Sequence, residues 1–283
     1  MKKIIFIAII VIQATLLLAV FDDYQPSSRA RGMGNAFTAV ANDANAIFYN
    51  PAGLAEVGGG VILGFSNLYN QQFSEYKTAA AGYALPKKLG TVAIGARMFD
   101  VDFEDTNLMS EQIWSIAHGF TLLSDIHSTI NFGYTGNFYR LSFDEMGEGN
   151  AFGLDVGGLA ILHQRTRLGF SVTNINHPKM GDENQNSLPQ KICMGVAYTP
   201  YDGVTTSVEM KKDFAQETEF MGGVEARIFE PLTIRAGVHQ NPATWNAGAS
   251  FYISGLSLDY SFTEHAALPA THYFNLGYRF QGR

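Results

Sequence analysis

The sequence predicts an all-β fold: a 14-stranded antiparallel transmembrane β-barrel with an N-terminal plug, or hatch, segment. Three observations predict it. Apolar and polar residues alternate with period two from Gly59 almost to the end, the strand-like stretches number fourteen, and the connections between them are short and long in turn.

Composition frames that reading. Of the 283 residues, 46% are hydrophobic and 16% charged, where a soluble domain carries about 25% charged residues. Such a chain shows apolar surface in alternation, not in blocks. The formal charge is −7, and removing Lys2 and Lys3 with a leader makes it −9. An acidic chain without Lys/Arg clusters cannot neutralise phosphates, so nucleic acid is excluded as a partner. Cys193 stands alone, which rules out an internal disulfide framework and a cysteine metal cluster, and no cysteine follows the leader to carry a lipid. Within a strand it reads as a small packed side chain.

Taken in order, residues 1–21 come first. Lys2 and Lys3 precede an apolar run from Ile4 to Val20, the layout of a secretory signal cleaved near Ala19 to Phe21. The run also approaches the ~17 residues that span a bilayer, so an uncleaved anchor is the alternative. Residues 22–57 follow, with ARGMGNAFTAVANDA and NAIFYNPAGLAEV rich in small side chains. Asn50, Pro51, Ala52 and Gly53 form a break within them. Proline lacks an N–H and restrains the residue before it, and Gly53 accepts unusual backbone angles, so a short helix or coil stops sharply there.

Residues 58–283 carry the barrel, with strands expected near 59–69, 75–85, 90–101, 111–120, 127–141, 150–162, 166–175, 189–198, 203–212, 219–229, 231–240, 244–253, 255–263 and 271–280. In GLSLDYSFT, Leu256, Leu258, Tyr260 and Phe262 alternate with Ser257, Asp259, Ser261 and Thr263. The closing THYFNLGYRF ends on Tyr278 and Phe280, the aromatic signal of a last barrel strand. Connections after even strands are brief (PKKL, TLLSDI, QRT, TPYDG, EP, SG), whereas those after odd strands are mostly longer or more polar, such as DFEDTNLMS and HPKMGDENQNS. A soluble β-sandwich also alternates. Its polar face would hold many Lys and Glu, whereas this one is rich in Gly, Ser, Thr and Asn.

The polar face is therefore the lumen. It places Arg97, Asp155, Lys191, Glu209, Glu225, Arg227, Arg235, Asp259 and Arg279 inside, where they form an ion-pair lattice or line a polar conduit. Pairing Ile228 with Leu232 across the Phe229–Pro231 turn sets Glu225 opposite Arg235, a contact contributing roughly 0.2–1 kcal/mol. An acidic outer rim is expected from Asp102, Glu104, Asp105, Asp144, Glu145, Glu148, Asp182, Glu183, Asp213, Glu217 and Glu219, with no calcium-loop spacing among them. There is no Gly-x-Ser-x-Gly elbow, no His-Glu-x-x-His helix and no phosphate-binding glycine loop, and the seven histidines are scattered. The chain reads as non-enzymatic, with no cofactor and no metal.

The strand count, the ARGMGNAFTAVANDANAIFYNPAGL segment and the closing LPATHYFNLGYRF together resemble the PorV/PorQ group of outer-membrane proteins, within the FadL-like barrel superfamily. The resemblance covers nearly the whole mature chain. It implies that residues 22–57 fold into the barrel mouth as a hatch, with Asn50, Pro51 and Ala52 handing the chain to the first strand. It also implies a bacterial outer-membrane location in contact with outer-membrane lipid, and a surface role in type IX-like secretion with secreted cargo or machinery proteins as partners. The alternative from the wider superfamily is passive transport of hydrophobic small molecules, from which this chain departs by its short outward loops.

Overall fold

Side chains on a β-strand point alternately to two faces, so a sheet that closes on itself sorts them into an outer and an inner set. The computed structural model describes residues 24–103, 106–144, 147–181, 186–214, 216–266 and 268–280. The expected export signal, 1–21, lies outside them, as do Glu104, Asp105, Glu145, Asp182 and Glu183 of the expected rim.

In chain order the strands are β1 (Gly59–Asn67), β2 (Ser74–Ala84), β3 (Thr91–Phe103), β4 (Thr106–Ser124), β5 (Ser128–Phe143), β6 (Gly147–Leu162) and β7 (Thr166–Thr173). Two-residue strands β8 (Lys179–Met180) and β9 (Asn186–Ser187) pair only with each other. Then come β10 (Lys191–Tyr201), β11 (Val204–Asp213), β12 (Thr218–Phe229), β13 (Leu232–Gln240), β14 (Thr244–Ile253), β15 (Leu256–His265) and β16 (Thr271–Arg279). Apart from β8 and β9, the strands form one closed barrel, each beside its sequence neighbours. The seam is the antiparallel pair β1 and β16, running from Gly60 opposite Arg279 to Asn67 opposite His272.

Fourteen strands close the barrel, as the alternation predicts, and their boundaries differ in instructive places. The TLLSDI stretch, expected as a turn, continues β4 to Ser124 because a bulge between Thr121 and Leu123 absorbs the break in alternation. Strand β7 stops at Thr173 instead of 175, since Asn174 takes φ 56° and leaves the ladder. Its backbone N–H donates to Asp155 Oδ1 at 2.8 Å, and its Nδ2 donates to the Pro189 carbonyl at 2.8 Å. The β12–β13 register places Glu225 opposite Arg235, but Leu232 faces Phe229 and not Ile228. A bulge after Arg227 takes up the odd residue of that tight connection.

The outer face is apolar at mid-height. Ile94 and Ile116 face each other across β3 and β4 at 62% and 71% exposure, and Val208 and Val238 continue the belt. Tyr83, Tyr201, Tyr252 and Tyr278 stand exposed toward the short-turn end, as aromatics do at a bilayer interface. An exposed apolar surface that encircles a closed barrel is a lipid contact, not a soluble exterior. No helix among the described residues is long and apolar enough to cross a membrane.

Ile116→Arg tests the lipid face. A basic side chain near the bilayer midplane costs roughly 2–4 kcal/mol, so the folded, heat-modifiable fraction on a gel is expected to fall well below that of the parent. Unchanged assembly would place Ile116 in water.

Candidate functional site

Among the described residues, 28–57 pack against the inner faces of the strands. From Ser28 the segment makes a short helix α1 (Ser28–Gly32), two turns, a second short helix α2 (Ala46–Tyr49) and a 3-10 turn over Pro51–Glu56. Its side chains are small or packed: Ala30, Met33, Phe37, Ala39, Ala41, Ala46, Ala52 and Leu54 are all fully buried. Helix α1 lies along the inner sides of β13 to β16, and the 3-10 turn lies against β3 to β6.

What lets a backbone approach a barrel wall this closely is a set of inward positions without side chains. A Cβ on Gly237 would stand 2.1 Å from the Gly34 nitrogen, and one on Gly223 2.2 Å from the Met33 oxygen. On the opposite wall, a Cβ on Gly133 would lie 2.3 Å from the Pro51 carbonyl carbon and one on Gly169 2.5 Å from the Thr38 oxygen. Favourable contact between carbons begins near 3.5 Å, so none of these positions accepts even alanine without displacing backbone. Sequence reading saw the abundance of glycine but not this role, because period-two alternation marks the inner face without saying which inner positions meet backbone.

Asn50 is more than a break. It is fully buried, its Oδ1 accepts from the Ala52 N–H at 3.1 Å, and its Nδ2 donates to the Thr38 carbonyl at 2.9 Å and to the Gly158 carbonyl on β6 at 3.1 Å. Pro51 opens the 3-10 turn where its missing N–H is not needed, and Ala52 is buried beside it. Gly53 is required by close approach and not by special backbone angles: its φ is not positive, and a Cβ there would fall 2.0 Å from the Ala41 oxygen.

Wall side chains satisfy the segment's polar groups. Glu209 receives both the Thr38 N–H and the Thr38 hydroxyl at 2.7 Å. Arg29 of α1 donates to both oxygens of Glu225, at 2.8 and 2.9 Å, and also reaches Asn42 and Asp43. Arg235 donates to Glu225 at 2.6 Å and to Ser250, whose hydroxyl donates in turn to Asp259. Arg97 lies over the Phe48 ring at 5.1 Å, and Asp155 accepts from Asn137 at 2.7 Å. Lys191 lies opposite Asp213 across β10 and β11. Arg227 and Arg279 sit at the short-turn end of their strands, exposed to solvent; Tyr278 and Phe280 are exposed at the same end. Cys193 is half-buried on β10.

Two of the expected rim carboxylates face inward instead. Asp213 and Glu219 are 2% and 6% exposed because β11 and β12 extend far enough to keep them in inward register. Glu219 meets Lys211 at 2.8 Å and His239 at 2.7 Å. Asp102, Asp144, Glu148 and Glu217 are exposed as expected. Arg167 was missed although alternation turns it inward; it holds Glu56 at 2.6 and 2.9 Å and the Ala39 carbonyl at 2.7 Å.

The long-loop end of the interior has two contrasting linings. Met180 and Leu188, from the connection between β7 and β10, pack on Tyr139 and Leu141 of β5, with Met109, Ile113 and Phe143 at the edge. Beside them Leu68, Tyr76, Phe99 and Tyr273 form a second apolar cluster. Against β10 to β16 the same end opens instead into a polar cavity of about 210 Å³.

No family model matches the sequence, and no curated protein matches it. Solved structures match in fold. The CymD monoaromatic hydrocarbon channel aligns over 92% of this chain and 99% of its own, at 13% identity and a TM-score of 0.63. The P. putida toluene transporter TodX aligns over 92% of this chain and 100% of its own, at 10% identity and 0.60. A Pseudomonas aeruginosa FadL homologue aligns over 90% and 98%, at 10% identity and 0.54. At such identities the shared property is the fold, a closed antiparallel β-barrel.

Two substitutions probe this interior. Gly237→Val drives a side chain into the Gly34 backbone, so residues 24–57 are expected to become accessible to protease, or the barrel to fail to assemble; a protected, assembled variant would contradict the close approach. Glu225→Gln removes the shared acceptor of Arg29 and Arg235 and is expected to cost roughly 3–5 kcal/mol, read as a lower midpoint of heat-modifiable gel mobility. Arg235→Gln costs less, since Arg29 keeps its carboxylate. The double variant stays impaired, because Arg29 then retains only Asn42 and Asp43; full recovery would mean that Arg29 does not share Glu225.

Proposed function

We propose that this chain is a non-enzymatic bacterial outer-membrane barrel through which small hydrophobic molecules pass. Residues 1–21 serve as the export signal, 22–57 as the plug and 58–283 as the transmembrane barrel. The observation that carries the reading is the apolar cluster packed inside the long-loop end. Leu141, Met180 and Leu188 gather where an aqueous pore would present polar groups. When these side chains part, they offer a hydrophobic solute a site out of water before it meets the polar interior. Two barrels that share the fold are a monoaromatic hydrocarbon channel and a toluene transporter, which agrees with this solute class.

The resemblance to PorV/PorQ rests on the N-terminal and C-terminal sequence motifs. The solved structures named above are hydrocarbon channels and a FadL homologue, and hydrophobic passage becomes the preferred reading. In it the lumenal charges, Glu209, Glu225, Arg235 and Asp259 among them, hold the plug and do not conduct. Asn50 to Gly53 fix its turn, and Tyr278 and Phe280 close the last strand. Outer-membrane lipid surrounds the barrel, and no cofactor is needed.

Uptake of radiolabelled toluene at limiting concentration, by cells that lack another hydrocarbon channel, is expected to rise several-fold when the barrel is present in the outer membrane. Met180→Asp with Leu188→Asp should remove most of that gain. Uptake equal to the empty strain would sink the transport reading, and a defined exported protein co-purifying with the barrel would then favour secretion. Deleting residues 24–57 is expected to raise single-channel conductance in planar bilayers; unchanged conductance in an assembled barrel would show that the segment does not close the lumen.

A further inference from the structure

Two arginines leave the same short helix, and only one has a counter-charge. Arg29 is saturated by Glu225, Asn42 and Asp43. Arg31 is 9% exposed, its Nε donates to the Gln25 carbonyl at 3.2 Å, and its guanidinium lies 4.4 Å from the centre of the Tyr273 ring. Among the described residues no carboxylate pairs with it, and its two Nη groups have no protein acceptor. A buried cation without a counter-charge is unfavourable unless something supplies one.

Arg31 lines the polar cavity at the long-loop end, together with Asn35, Lys191, Lys211, Tyr69 and Tyr273. Three formal cations, Arg31, Lys191 and Lys211, meet two carboxylates there, Asp213 and Glu219. Glu219 is engaged by both Lys211 and His239. The cavity therefore keeps a positive excess in a chain whose formal charge is −7. Asn35 is 7% exposed and its Oδ1 has no hydrogen-bond partner, an acceptor that a water and not the carboxylate itself would satisfy.

We propose that this cavity binds a small organic carboxylate. A planar carboxylate fits the two free Nη groups of Arg31 side by side, as guanidinium–carboxylate pairs do. The rings of Tyr69 and Tyr273 provide flat contact for its body. A water needs about 10–15 Å³ of such space, so about 210 Å³ holds a single-ring molecule with several waters. The site goes beyond hydrophobic passage, because its ligand is charged and its lining carries Arg31, Lys191 and Lys211.

The test is calorimetric titration of benzoate into the full-length barrel in detergent. Saturable binding is expected, weakened at least tenfold by Arg31→Gln, weakened less by Arg31→Lys, which keeps the charge but loses the two-pronged donor, and not reproduced by neutral benzamide. If Arg31→Gln fails to assemble, Thr244→Trp at the cavity wall is expected to block the same binding. Absence of saturable binding, or equal binding by Arg31→Gln or Thr244→Trp, would overturn the proposal, as would benzamide binding equally well. Inorganic phosphate competing as strongly as benzoate would overturn the carboxylate assignment. A wild-type barrel that binds benzoate but takes up no toluene would remove the transport reading and leave this one standing.

Discussion

The interior depends on backbone meeting backbone. Gly133, Gly169, Gly223 and Gly237 lie on four different strands, and each leaves vacant the space that a Cβ would fill against residues 33–51. Once two main chains lie that close, water has no room between them and every peptide group in the contact needs a protein partner. Glu209, Asn50, Arg167 and Thr91 supply such partners, the last by donating its hydroxyl to the Val57 carbonyl at 2.7 Å. Small residues in the segment and long polar ones on the wall are thus two halves of one arrangement.

Charge placement follows from the same closeness. A guanidinium carried into a dry interior needs a carboxylate within reach, and Glu225 serves Arg29 from the segment and Arg235 from the wall. The lattice is therefore a tie between two parts of the chain as well as a means of keeping charges out of lipid. Along its outer edge Asp259 accepts from Ser250 and lies 3.8 Å from Arg235, so the network reaches from β12 to β15. Where it ends, toward the long-loop side, Arg31 is left with only an aromatic face and one carbonyl.

Much of the barrel was legible because alternation is a direct consequence of strand geometry. It gave fourteen strands and the Glu225–Arg235 register, and it failed where the ladder is irregular. The bulge after Arg227 shifted one pair, and the bulge at Thr121 disguised a strand end as a turn. Asp213 and Glu219 were misread for a related reason: acidic residues beside a predicted loop look solvated, and only the true length of β11 and β12 turns them inward. The interior was less legible than the wall. Asn50 and Pro51 signalled a stop, but their ties to Thr38 and Gly158 join residues distant in sequence, and no local pattern encodes them.

These ties bear on how a solute would get past the segment. Swinging residues 24–57 out as a unit would take Arg29 from Glu225 and the two Thr38 donors from Glu209, and expose fully buried Phe37, Met33 and Ile47. A hydrogen bond to a charged group contributes roughly 1.5–3 kcal/mol, and each large apolar side chain brought into water adds roughly 1.5–3 kcal/mol. Rigid-body ejection then costs an amount comparable with a domain's usual margin of stability, about 5–15 kcal/mol, once a few such terms combine. The contacts at the long-loop end differ in kind. Met180 and Leu188 touch Tyr139 and Leu141 through side chains alone, with no charge to strand when they part. Rearrangement there is the smaller perturbation, so a route for an apolar solute begins among those side chains while the segment below stays tied to the wall.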